Sequence, residues 1–158
     1  MRFALLIVGI ICLPGVVWAQ APDAVFLEEL TWTEVRDALA SGTTTVIIPT
    51  GGTEQNGPHM VLGKHNYLVH HKAGEVARRL GNALVAPVMA YVPEGNVDPP
   101  TGHMRFPGTI TTPPEVFEQV LEFAARSFKQ HGFLDIALLG DSGGNQASQA
   151  AVAARLNR

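Results

Sequence analysis

Three short apolar runs mark the chain at wide intervals. Thr44-Thr45-Val46-Ile47-Ile48 is β-branched and apolar without alternation, as a strand buried on both faces would be. Leu84-Val85-Ala86-Pro87-Val88 and Ile136-Ala137-Leu138-Leu139 repeat that pattern. Helix punctuation lies between them. Thr31-Trp32-Thr33-Glu34 reads as a capping box, opening a helix that runs to about Ala40 and stops near Gly42. Asn66 is placed to cap a helix from Tyr67 to Leu80, with Gly81 as its stop. Thr112-Pro113-Pro114-Glu115 combines an N-cap, a first-turn proline and a capping glutamate. Val116, Val120, Phe123 and Ala124 form the apolar stripe of that helix, and His131-Gly132 ends it. Trp32, Phe117 and Phe123 read as core. An alanine-rich helix begins near Gln146.

Strands separated by helices predict an α/β fold with a parallel sheet and covering helices. Loops 49–66 and 89–112 and the turn 140–145 all leave the carboxyl ends of strands, where ligand sites form in such sheets. Both loops are long enough to suggest function. Three strands are few for a doubly wound sheet, and the last residues look like mid-helix. The expectation is a fragment, or a shortened relative of something longer.

Composition narrows the class. The chain has 158 residues, 46% hydrophobic and 16% charged, with a formal net charge of −3. That is one globular domain without a basic run, so nucleic acid is not an expected partner. Residues 1–19 have the layout of a cleaved secretory signal: Arg2, an apolar run from Phe3 to Leu13, Pro14-Gly15, then Val17-Trp18-Ala19. The domain proper is then 20–158, periplasmic or secreted, with no membrane attachment after cleavage. Cleavage removes Cys12, the single cysteine, which excludes thiol nucleophiles and thiolate ligands.

Candidate chemistry gathers in the loops. Glu54, His59, His65 and Asp141 offer oxygen and nitrogen donors suited to Zn, Mn or Fe. His70 and His71 are adjacent on one helix, so one is expected to pack and the other to face solvent. Glu94 and Asp98 read as residues that keep their loop soluble, with contact to substrate as the alternative. Phe106-Pro107-Gly108 reads as a loop anchor with a packed ring. Asn145 reads as a helix cap, and Gly143 and Gly144 as a tight turn able to hold a substrate oxygen through backbone N–H groups.

Four motifs carry a family resemblance. Gly52-Thr53-Glu54-Gln55-Asn56-Gly57-Pro58-His59 resembles the G-S-x-E-Q-H-G-P-H loop of the creatininase (creatinine amidohydrolase) family. Phe106-Pro107-Gly108-Thr109 resembles its F-P-G-T signature, with His103 at a position where that family often has histidine. His131-Gly132-Phe133 and Gly140-Asp141-Ser142-Gly143-Gly144-Asn145 resemble its H-G-F strand and N-G-H-G-G-N turn. The match covers about residues 31–155. It implies a three-layer α/β/α fold with a mostly parallel sheet, incomplete at the C-terminus because family members are longer. It also implies hydrolysis of a C–N bond in a small amide or lactam through metal-activated water, and a possible homo-oligomer, often a hexamer.

The departures fall on the metal ligands the resemblance implies. The glutamate is kept as Glu54. Asn56 stands where the family has histidine, His65 where it has a bridging aspartate, and Ser142 where it has a second histidine. A neutral imidazole has one free lone pair and cannot bridge two cations. The expectation is therefore one divalent ion held by Glu54, His65 and Asp141, with Asn56, His59 or Ser142 assisting. Metal-free and rearranged two-metal sites are the alternatives. With Glu54 a ligand, His103 is the expected proton carrier to the leaving nitrogen, a loop-bracing hydrogen bond being the alternative. A small-molecule binder or pseudoenzyme on the same fold is the rival function, and a structural subunit of a larger assembly a weaker one.

Overall fold

The computed structural model describes residues 24–158. The predicted secretory signal lies outside the described residues. The sheet has three parallel strands, β1 (Thr45–Thr50), β2 (Ala83–Val85) and β3 (Asp135–Gly140), in the order β2-β1-β3. Four α-helices accompany it: α1 (Trp32–Ala40), α2 (Lys64–Leu80), α3 (Pro114–Gln130) and α4 (Gln146–Leu156). None of the described helices is long and apolar enough to cross a membrane.

The continuous apolar run of β1 has its predicted cause. Successive side chains point to opposite faces of a strand. Val46 and Ile48 pack with Leu84, Ala86, Ala125 and Phe133 under α1 and α3, while Ile47 packs with Val85, Ala73 and Ala77 under α2. Both faces are covered, giving three α/β/α layers. A third cluster, Val92, Phe117, Leu121 and Val152, joins α3 to α4 below the second long loop.

Local signals hold in part. Thr31 and Glu34 form the expected capping box on α1. His70 stacks on Phe26 with ring centroids 4.1 Å apart, while His71 is exposed. Helix α2 begins before the expected cap, at Lys64, so Asn66 lies within it. Its side chain instead ties the preceding loop, accepting from Gly52 N at 2.9 Å and donating to Thr53 Oγ1 at 3.2 Å. Thr112 is not the cap of α3; Pro113 holds that place and Thr112 Oγ1 donates to Tyr91 O.

The buried stripe of α3 is Phe117, Leu121 and Ala125, not the predicted one. Val116, Val120 and Phe123 are exposed, as is Trp32. Both stripes of α3 are apolar, and the helix turns the one carrying Phe117 to the sheet. Phe106 is exposed as well, so its ring does not anchor the loop.

Candidate functional site

The carboxyl ends of β1 and β3 open into one cluster of titratable side chains. Glu54 lies in the loop after β1, with its backbone N–H donating to Leu62 O at 3.1 Å. It is only 4% exposed. Its Oε1 is 2.9 Å from His65 Nε2 and its Oε2 is 3.2 Å from His103 Nε2. The other ring nitrogen of His65, Nδ1, is 2.8 Å from Asp141 Oδ2, and Lys72 Nζ donates to Asp141 Oδ1. Burial raises the pKa of Asp141, but hydrogen bonds from Lys72 and His65 outweigh it and hold the carboxyl below its usual range.

Glu54, His65 and Asp141 therefore form a chain rather than a triangle. The two carboxylates sit at opposite edges of one imidazole, and a cation needs its donors aimed at one point. The expected ligand set thus meets side by side without converging. Asn56 is a brace: Nδ2 donates to Glu54 O at 3.1 Å, and Oδ1 accepts from Lys64 at 2.7 Å. His59 is exposed, and its ring lies beside Gly57. Ser142 gives its carbonyl to Asn145 N.

A different set does converge. Glu54, Glu94 and His103 each offer one ligand atom, all within 4.8 Å of one another. Glu94, which the sequence alone presents as a solubilising loop residue, is only 7% exposed. Its Oε1 is buried without a hydrogen-bond partner. Burial, then its hydrogen bond to Glu54 and the charge there, pushes the Glu94 carboxyl up to about 9. Gly52 leaves the room: a Cβ there would stand 2.7 Å from Glu94 Oε1.

His103 is oriented to match. Its Nδ1 is 3.2 Å from the carbonyl of Gln55. Nδ1 also lies 3.3 Å from the Gln55 side-chain Nε2, so it meets an acceptor and a donor of the same residue, and either ring tautomer finds a partner there. With the hydrogen on Nε2, that atom donates to Glu54 Oε2; with the hydrogen on Nδ1, two lone pairs face each other and a proton or a cation belongs between them. Two carboxylates, one lone-pair nitrogen and an orphaned buried oxygen fit a divalent ion with oxygen and nitrogen ligands. Fitting His103 as a ligand conflicts with the expected role as proton carrier, since a coordinated Nε2 has no lone pair left to move a proton. Its side chain is 41% exposed, so the cluster has one open side.

The glycine turn contributes bracing. Asn145 does not cap α4 with its side chain. It is fully buried, and Nδ2 donates to Gly51 O at 2.8 Å, tying the turn to the first loop. Neither Gly143 nor Gly144 has a positive φ, and a Cβ at either would meet nothing closer than 3.9 Å, so tight geometry does not require glycine there. A groove of about 550 Å³ lies elsewhere, between β3, α3 and α4, lined by Leu134, Ile136 and Leu156.

No sequence rule picks out Glu94. Only the Pro93-Glu94-Gly95 and Gly102-His103 pairs hint at a pinched loop.

Residues 28–158 match the Creatininase family model, described as creatinine amidohydrolase. A 3-dehydro-scyllo-inosose hydrolase of Thermotoga maritima is 29% identical over 125 residues, which cover 78% of this chain and 38% of that protein. A creatinine amidohydrolase of Pseudomonas putida is 30% identical over 116 residues, 73% of this chain and 44% of that protein. A solved mutant creatininase is 27% identical, with a TM-score of 0.73, over 85% of this chain and 53% of its own. Creatininase has also been solved in a manganese form and a Zn-Zn form. The chain spans less than half the length of these curated relatives.

Proposed function

We propose that this chain, which belongs to the creatininase family, acts as an exported, cation-dependent hydrolase of a C–N bond in a small amide or lactam. The observation that carries the reading is Glu54. It stands at the family's glutamate position, buried, with an imidazole against each carboxylate oxygen and a second carboxylate beside it. A divalent cation, Zn, Mn or Fe, held at Glu54 supplies polarisation of the substrate carbonyl and a lower pKa for its water.

The chain's own residues prepare that place. Leu62 O fixes the Glu54 backbone, and Asn56 clamps the following turn. His65, braced by Asp141 and Lys72, fixes Glu54 Oε1 in orientation. The half-exposed edge of His103 marks the side where a small amide enters. Export rests on the N-terminal pattern of residues 1–19. A homo-oligomer rests on the family resemblance.

The test is amine or ammonia release from a panel of small cyclic and linear amides, with Mn²⁺ or Zn²⁺ added and with chelator. Hydrolysis that chelator and Glu54→Gln both abolish supports the reading. A cation-loaded, folded protein that hydrolyses nothing in the panel overturns it. That outcome favours the rival reading, a non-catalytic binder, which Asn56, His65 and Ser142 at three family ligand positions support.

A further inference from the structure

We propose that this chain binds a single divalent cation through Glu54, Glu94 and His103, and that His65 and Asp141 are positioning residues rather than ligands. The inference rests on the functional reading above only in taking Glu54 as the holder of the cation.

Three independent observations carry it. Geometry comes first: only this trio among the described residues brings three donor atoms within 4.8 Å of one another. Partnering comes second. Glu94 is more than nine-tenths buried and belongs to that cluster, yet its Oε1 has no hydrogen-bond partner. An unmatched buried carboxylate oxygen is costly unless a cation or a proton satisfies it. Orientation comes third. His103 Nδ1 is held between the Gln55 carbonyl at 3.2 Å and the Gln55 side-chain Nε2 at 3.3 Å, and in the tautomer that donates from Nδ1 to the carbonyl, Nε2 is the free donor on the side of Glu54. A second hydrogen bond of this kind is the usual support of a metal-ligating histidine.

The loop that carries Glu94 and His103 is built to hold them together. His103 N donates to Glu94 O at 3.0 Å, and Thr101 N donates to Asn96 O at 3.1 Å. Gly95 has φ +128°, and a Cβ there would lie 2.2 Å from Thr101 O. The backbone pinch thus requires glycine, and it sets two donors side by side from opposite ends of one loop.

A second ion has no place on the other side of Glu54. His65 sits there, with both ring nitrogens against carboxylates, and Lys72 already meets the outer oxygen of Asp141. One cationic side chain, Lys72, and one imidazole, His65, thus occupy the oxygens of Asp141 where donors for a second metal would have to stand.

The experiment is calorimetric titration of the protein with Mn²⁺ or Zn²⁺ alone, with pulsed EPR on the Mn²⁺-loaded form. The expected result is one equivalent per chain and one coupled imidazole nitrogen. Glu94→Gln and His103→Ala weaken binding by roughly a hundredfold or more, and His103→Ala removes the nitrogen coupling. Asp141→Asn and His65→Gln, which act through Glu54, weaken binding by roughly ten- to a hundredfold and keep the coupling. Circular dichroism confirms that each variant is folded, and Glu94→Asp serves as a partial rescue in case Glu94→Gln is not. Two equivalents, or a nitrogen coupling that is lost in His65→Gln and kept in His103→Ala, overturns the assignment. A protein that binds one ion in this way yet hydrolyses no amide leaves the cation site standing and sinks the hydrolase reading alone.

Discussion

The backbone N–H of His103 donates to the carbonyl of Glu94 at 3.0 Å. One hydrogen bond thereby closes a proline-rich loop and delivers an imidazole and a carboxylate to the same buried glutamate.

Gly95→Ala should break the closure. The added Cβ meets Thr101 O at 2.2 Å, and the residue holds a φ of +128°. The expected loss is about 1–3 kcal/mol of stability. Cation affinity should fall with it, because Glu94 and His103 separate. Urea unfolding and a metal titration on the same sample measure both.

Asn145→Ala should cost about 1–3 kcal/mol, because it leaves Gly51 O without its buried donor. The same bond ties the turn after β3 to the loop after β1. The variant should therefore loosen Glu54 as well, visible as faster amide hydrogen exchange at residues 51–54.

Phe117→Ala and Phe123→Ala should behave in opposite ways. Phe117 is 1% exposed, and its truncation should cost about 3–5 kcal/mol. Phe123 is 69% exposed, and its truncation should stay within about 0.5 kcal/mol of the parent. Equal effects would mean that α3 presents a different face to the sheet.

Asp141→Asn should show a pH-dependent penalty. The native Asp141 carboxyl is held below its ordinary value of 3.8, so folding binds fewer protons there than the unfolded chain does. The resulting stabilisation is complete well above pH 3.8 and is lost as pH falls through the native pKa. The stability gap between parent and Asp141→Asn should therefore be widest near neutrality and close in acid. Denaturant midpoints across that range check it, and a gap that widens in acid contradicts the ion pairing with Lys72 and His65.

β1 was legible because burial on both faces demands apolar residues at every position, and it has them from Val46 to Ile48. Capping at Thr31 and stops at Gly42, Gly81 and Gly132 were legible because those effects act within a few residues of chain. The metal-ligand set was not. Glu54, His65 and Asp141 do meet, but their order, with the imidazole in the middle, depends on where α2 and β3 place them. Glu94 resembled a surface loop residue because the groups that stand against it, Gly52 and Glu54 of the first loop and His103 at the far end of its own, are distant from it in sequence.

The sequence by itself determined a three-layer α/β domain of the creatininase family, with its polar loops at the carboxyl ends of the strands. Period, capping and motif order are local properties, and a linear chain records them. Which stripe of α3 faces inward, and which carboxylate shares Glu54's cavity, only the tertiary structure decided. Convergence on a point depends on distances across the fold, and those are set by packing between segments far apart in the chain.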